Sequence, residues 1–304
     1  MKAVIDIGTN TFHLNIASVL PNGSIEFHYK TYDAVKLGEG GISKGIIAPE
    51  AYKRGIDTLV KYSDIIANYP VTQIFAMATS AVRDATNGQK FIKEVQKKAN
   101  INIQILSGDT EAEFIYEGTK AAVNLTNGTF LIMDIGGGSI EFILCNESQI
   151  YWKHSFNLGA ARLKEIFNNQ STFTNSDITI IENYLYDNLT ELFEACKIYK
   201  PNVLIGTAGS FETYCEVINL KNGLDINLEN QKIYEFNYNE LQLLLNFFKT
   251  STLQQRMHTP GLINFRVDMI VFASIITSFV LQKLNINKTI LSTYALKEGV
   301  LLSC

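Results

Sequence analysis

The chain has 304 residues, 46% of them hydrophobic and 18% charged, with a formal net charge of −4 and a pI near 5.7. That length allows two domains of about 150 residues, each with a core of its own, and the acidic balance argues against a nucleic-acid groove as the main business of the surface. Four scattered cysteines and four scattered histidines exclude a disulfide framework and a zinc cage, so any metal would be oxygen-bound, which favours magnesium or a similar hard cation such as manganese.

The N-terminal Met-Lys-Ala-Val-Ile meets Asp6 too soon to be a secretory signal, so the expected location is the cytoplasm. An apolar strand then runs into Asp6-Ile-Gly-Thr-Asn-Thr11 and a second strand, 12–16. The segment 36–41, Lys-Leu-Gly-Glu-Gly-Gly, reads as a mobile loop. Pro49 opens a helix to about residue 68, with Ile56, Leu59, Val60 and Ile66 on one side. A strand at 73–78 ends in Thr-Ser-Ala-Val-Arg83, followed by a helix over 87–98. A strand at 101–106 ends in Ser-Gly-Asp-Thr-Glu111, with helix over 112–124 and a domain junction expected at 118–125. The stretch 134–141, Asp-Ile-Gly-Gly-Gly-Ser-Ile-Glu, lies between two more apolar strands and aligns with the first turn at an offset of 128, Asp6 on Asp134 and Thr11 on Ser139. Helices are expected at 176–199, 211–218, 239–250, 266–284 and from 296 to the end, and strands at 202–205 and 289–292. The apolar part of 266–284 stops well short of the ~20 residues of a membrane span. Alternating strands and helices in two similar halves give an α/β fold of mixed sheets covered by helices.

The repeat frames the chemistry. No helix follows the glycines in either copy, which excludes a Rossmann fingerprint, and no Walker A lysine is present. Gly136, Gly137, Gly138 and Ser139 form either a phosphate cradle or a plain hairpin turn. Asp134 beside such a cradle repels an anion unless a cation lies between them, and Glu141 shares the strand face of Ser139, so this pair reads as metal- or water-binding. Arg83 at a strand end either grips phosphate oxygens or caps a turn. Glu111, in a first helical turn, is either a general base or an acidic residue placed by the helix dipole. Gly206-Thr-Ala-Gly209-Ser210, between a strand and a helix, is either an anion site or a plain turn, and His13 reads as a packed histidine.

Taken in order, "DIGTNTFH", "TSAVRD", "LSGDTEAEFIY", "DIGGGSIEF", "LGAARL", "GTAGS", "RVDMI" and "KEG" resemble the exopolyphosphatase and guanosine pentaphosphate phosphohydrolase family over essentially the whole chain. The resemblance implies two actin-like (ribonuclease H-like) domains, 1–120, completed by the C-terminal helix 295–304, and 121–294, with the active site in the cleft between them. It implies hydrolysis of terminal phosphoanhydride bonds of polyphosphate or guanosine pentaphosphate by water. Glu111 then activates the water, with Glu141 beside it. Asp134, Glu141 and Asp6 hold the divalent cation, Mg²⁺ or Mn²⁺. Asn10, Thr11, Arg83, Gly136 to Ser139, Gly209 and Ser210 bind phosphate. Long members of that family carry further C-terminal helical domains, so a chain ending at Cys304 looks like a short, two-domain form; no nucleic-acid or membrane partner is expected and a homodimer is left open. The rivals are a kinase of the same superfamily, which needs an acceptor, and a non-hydrolysing sensor of a polyphosphorylated nucleotide.

Overall fold

In the computed structural model, residues 1–167, 172–224, 227–228 and 231–304 are described. Strands β1 (Lys2–Ile7), β2 (Phe12–Val19) and β3 (Ile25–Asp33) form an antiparallel meander, and β1 pairs in parallel with β4 (Gln73–Ala78), which carries β5 (Ile103–Ile105). Helices α1 (Pro49–Ile66), α2 (Ser80–Arg83), α3 (Gly88–Ala99) and α4 (Gly108–Ala122) join them. The pattern then recurs. Strands β6 (Phe130–Ile135), β7 (Ile140–Cys145) and β8 (Ile150–Phe156) make a second meander. After α5 (Ala160–Ile166), α6 (Asn175–Asn188) and α7 (Thr190–Tyr199), β9 (Val203–Thr207) pairs in parallel with β6. Helix α8 (Ala208–Lys221), strand β10 (Ile233–Glu235) and helices α9 (Tyr238–Thr250), α10 (Leu253–Met257) and α11 (Ile270–Leu284) follow; β11 (Lys288–Ser292) then joins β9 in parallel and α12 (Leu296–Ser303) closes the chain. The sheets run β3-β2-β1-β4-β5 and β10-β11-β9-β6-β7-β8, so each half is a three-strand meander whose first strand carries further strands in parallel.

The period-2 alternation of the strands explains the layering. On β1, Ala3, Ile5 and Ile7 face one core, while Val4 faces the other way. On β6, the residues offset by 128 behave alike: Leu131, Met133 and Ile135 point to an outer core, and Ile132 to a central layer shared with Val4. That central layer holds α4 and α12, through Ala112, Ile115, Tyr116, Val300 and Leu301. The two helices touch backbone to backbone: a Cβ on Gly118 would lie 2.0 Å from the Ala295 carbonyl oxygen, and one on Gly299 1.8 Å from that of Phe114. In register, Asp6 pairs with His13 and Asp134 with Glu141, so the repeat places a histidine in one hairpin where the other has a carboxylate.

Several boundaries differ from expectation. The segment 176–199 is two helices broken at Leu189, because Leu189 stays buried while the chain turns. The helix expected at 112–124 starts earlier, at Gly108, where the Ser107 side chain accepts the Thr110 N–H as an N-cap. Residues 264–269 form a short 3-10 turn and a bend before α11. The expected strand 101–106 shrinks to Ile103–Ile105, and Ser80–Arg83 is a helical turn. The segment 36–41 is anchored, not loose: the Gly38 N–H donates to the Thr9 carbonyl at 2.9 Å, and the Gly40 N–H to Glu165 Oε1 at 2.8 Å.

Candidate active site

The faces that turn Val4 and Ile132 into the central layer also carry Asp6 and Asp134 at the carboxyl ends of β1 and β6, the end at which open α/β sheets bind ligands. Helices α4, α8 and α12 begin at the same place. One cleft is thus lined by Asp6, Gly8 to Thr11 and His13 from the first hairpin and by Asp134, Gly136 to Ser139 and Glu141 from the second. Glu111 enters it from α4, Gly209, Ser210 and Glu212 from α8, and Lys297 from α12.

Glu111 is 6% exposed, and its Oε2 accepts from Arg83 Nη1 at 3.0 Å. Asp134 Oδ2 accepts from Thr207 Oγ1 at 2.6 Å, and Glu141 Oε1 from Ser155 Oγ at 2.6 Å. Burial first, then the charge of Glu141, hold the Glu111 carboxyl well above the usual range, against the pull of Arg83. Burial and then Asp134 push Glu141 up to about 7. Burial raises Asp6 to about 6, with Lys297 opposing and Asp134 adding. Asp134 is raised by burial against the Thr207 hydrogen bond and Lys297. The cleft therefore gathers five carboxylates, Asp6, Glu111, Asp134, Glu141 and Glu212, whose neighbouring charges repel. Lys297 answers part of that charge: burial disfavours its ammonium, but Glu298, Asp6, Glu212 and Asp134 raise it overall. His13, lowered well below its usual value by burial and by Lys297 and Arg266, stays neutral.

The structure brings most of the sequence-derived residues into this cleft; Arg83 is the exception. Its guanidinium sits on Glu111, on the Leu106 carbonyl at 3.2 Å and on Asp84 at 3.4 Å, behind the lining. The glycines also have a neighbour the sequence did not reveal. A Cβ on Gly138 would lie 2.4 Å from Ser80 Oγ and 2.7 Å from Thr9 Oγ1, and one on Gly159 2.4 Å from the Gly137 carbonyl carbon. Side chains are excluded there by the opposite wall and by the start of α5, whose Ala160 N–H donates to Gly136 and Ala161 N–H to Gly137. Sequence reasoning missed Lys297, Arg266 and Glu212 as lining residues. Arg266 donates to the Gly209 carbonyl at 2.5 Å and to Thr213 Oγ1 at 2.8 Å, wrapping the first turn of α8; the signal available was its place in "RVDMI".

Among the described residues, no three His, Cys, Asp or Glu side chains converge into a ready metal cage. The donor set still fits a hard cation, since magnesium uses one or two carboxylates and completes its shell with water and substrate oxygens. Asp134 and Glu141, cross-strand partners and both held by hydroxyls, supply such a pair, with Asp6 on the facing hairpin. The mutual repulsion of these groups is what a bound cation would relieve.

A family model described as the Ppx/GppA phosphatase family matches residues 17–304. The crystal structure of an exopolyphosphatase from Cytophaga hutchinsonii shares 38% sequence identity with this chain and superposes with a TM-score of 0.95, covering 99% of this chain and 96% of that one. A bifunctional 3-dehydroquinate synthase/phosphatase of Fusobacterium nucleatum is 35% identical over 295 residues, 93% of this chain and 43% of its own length. A guanosine-5'-triphosphate,3'-diphosphate pyrophosphatase of Pseudoalteromonas translucida is 27% identical over 301 residues, 99% of this chain and 58% of its own length. The chain thus spans less than two thirds of either of these two relatives. With a duplicated fold, a cleft floored by glycine turns and carboxylates, and a family match running from β2 to the last residue, the chain belongs to the Ppx/GppA phosphatase family.

Proposed function

We propose that this protein hydrolyses terminal phosphoanhydride bonds of inorganic polyphosphate or of guanosine pentaphosphate, releasing orthophosphate. The observation that carries the reading is Glu111: a buried carboxylate that lines the same cleft as both glycine turns, with one oxygen held by an arginine. Arg83 occupies Oε2, which leaves Oε1 to take the proton of an attacking water. Asn10 and Thr11 on one wall, Gly136 to Ser139 on the other, and Gly209 and Ser210 at the head of α8 hold the oxygens of the terminal phosphates. Lys297 and Arg266 add positive charge to the lining. A magnesium or manganese ion on Asp134 and Glu141, with Asp6 across the cleft, would neutralise charge on the transferring phosphoryl group. Arg83 acts in this scheme on the base, not on the substrate.

A non-hydrolysing sensor has no use for a carboxylate buried in the cleft wall, and the position of Glu111 counts against it. The deciding experiment is phosphate release from inorganic polyphosphate and from guanosine pentaphosphate with no acceptor present, with and without Mg²⁺. Release from either supports hydrolysis and removes the kinase reading. No release from both, with the protein folded and Mg²⁺ or Mn²⁺ supplied, overturns the proposal.

A further inference from the structure

Arg162, in the first turn of α5, crosses from the second half of the chain to the first. Its Nε donates to the Gly138 carbonyl at 3.0 Å, Nη1 to the Ile42 carbonyl at 3.3 Å, and Nη2 to Ser80 Oγ at 3.2 Å and Asp84 Oδ2 at 2.8 Å. Asp84 has a second oxygen, and Oδ1 takes Arg83 Nε at 3.4 Å, while Ser80 Oγ donates to Oδ2 at 2.9 Å. Arg83 in turn holds Glu111 at 3.0 Å. A single line of charge-assisted contacts therefore joins the glycine turn, Arg162, Asp84, Arg83 and Glu111. Both arginines are more than four-fifths buried, so these pairs are screened less than surface ones.

We propose that Arg162 is a positioning residue which, through Asp84 and Arg83, fixes Glu111 relative to the Gly136–Ser139 turn and does so only when the two walls are closed on each other. The inference rests on the reading of Glu111 as the general base. Asp84 is the joint. With both oxygens occupied it keeps the Arg83 guanidinium where Nη1 meets Glu111. When Arg162 withdraws, Asp84 loses its anchor on the second half, and the base is no longer set against the loop that holds the substrate. One residue, Glu165, lies three positions further along α5 and grips the same side of the first half, accepting from the Gly40 N–H at 2.8 Å and the Ser43 N–H at 3.1 Å, so α5 meets the first half along its length.

The test is a mutant cycle read by steady-state phosphate release from inorganic polyphosphate or, where that is not turned over, from guanosine pentaphosphate, with Glu111→Gln, Arg162→Ala and the double variant. A displacement of about 1 Å at a reacting group lowers turnover by up to about 100-fold, so Arg162→Ala is expected to lower kcat by roughly 10- to 100-fold with KM within about threefold of wild type. Adding Arg162→Ala to Glu111→Gln is expected to lower kcat little further, because the base it positions is already gone. Arg162→Lys, which keeps one charged contact, is expected to recover part of the loss, and Asp84→Asn to reproduce it; these two carry the same comparison should Arg162→Ala not fold. Losses that multiply in the double variant, an unchanged kcat in Arg162→Ala, or a rise confined to KM would each overturn the positioning role. Full turnover by Glu111→Gln alone would overturn the general-base reading and this inference with it, so the two failures are told apart by the single variant.

Discussion

Glu111 and Glu141 are carboxylates in one cleft, yet their supports assign them different work. Glu111 is gripped by a permanent cation, Glu141 by a serine hydroxyl. Glu111→Gln keeps the shape of the side chain and cannot accept a proton, so kcat should fall ~10²-fold or more with KM little changed, measured by phosphate release. Asp134→Asn should raise the Mg²⁺ concentration needed for half-maximal activity; an identical half-saturation in both proteins would remove Asp134 from the metal site. These two carboxylates could be read from sequence because each closes or follows an apolar run at the expected sheet edge. The partners of Arg83 and Arg162 could not. Arg83 and Glu111 are 28 residues apart, Arg162 and Asp84 78, and no local pattern pairs them.

Among the elements, the pair α4 and α12 carries the most information per residue. Their axes approach until Gly118 and Gly299 rest on opposing carbonyl oxygens, so neither position has room for a methyl group. Because the obstructing atoms are backbone on both sides, Gly299→Ala should lose about 3 kcal/mol, the upper end of the usual overpacking range, as read by urea unfolding. It should also lower activity, since Lys297 stands two residues earlier in the same helix. The hairpins were legible because apolar runs flank the Asp-Ile-Gly turns. Strand β3 was not: Glu26, His28, Lys30 and Tyr32 alternate on it, a half-wet meander strand that its composition disguises. Nor was the break at Leu189 visible, since apolar residues continue through it at helical spacing. The segment 36–41 read as loose because glycine and charge dominate it; its anchors, Thr9 and Glu165, lie far away in sequence.

For the molecule as a whole, the shared acidity of the cleft sets how stability depends on pH. In the folded, metal-free protein Asp6 is raised from 3.8 to about 6 and Glu141 from 4.5 to about 7, so between about pH 4 and 7 the folded state binds more protons than the unfolded one. Stability is then fully present below the unfolded values and is lost as pH rises through the folded ones. For Glu141 the loss is on the order of 3 kcal/mol. In the presence of a chelator, the urea midpoint should be lower at pH 8 than at pH 5, and Glu141→Gln should flatten part of that slope, the rest belonging to Asp6, Glu111 and Asp134. An equal midpoint at both pH values in the wild-type protein would contradict the electrostatic picture. Magnesium added at pH 8 should recover stability. The difference between the two hairpins has one more consequence. Here one wall pairs an aspartate with a glutamate and the other pairs an aspartate with a neutral imidazole. An anion bound between these walls would therefore meet unlike charge on its two sides, an asymmetry that belongs to the protein alone.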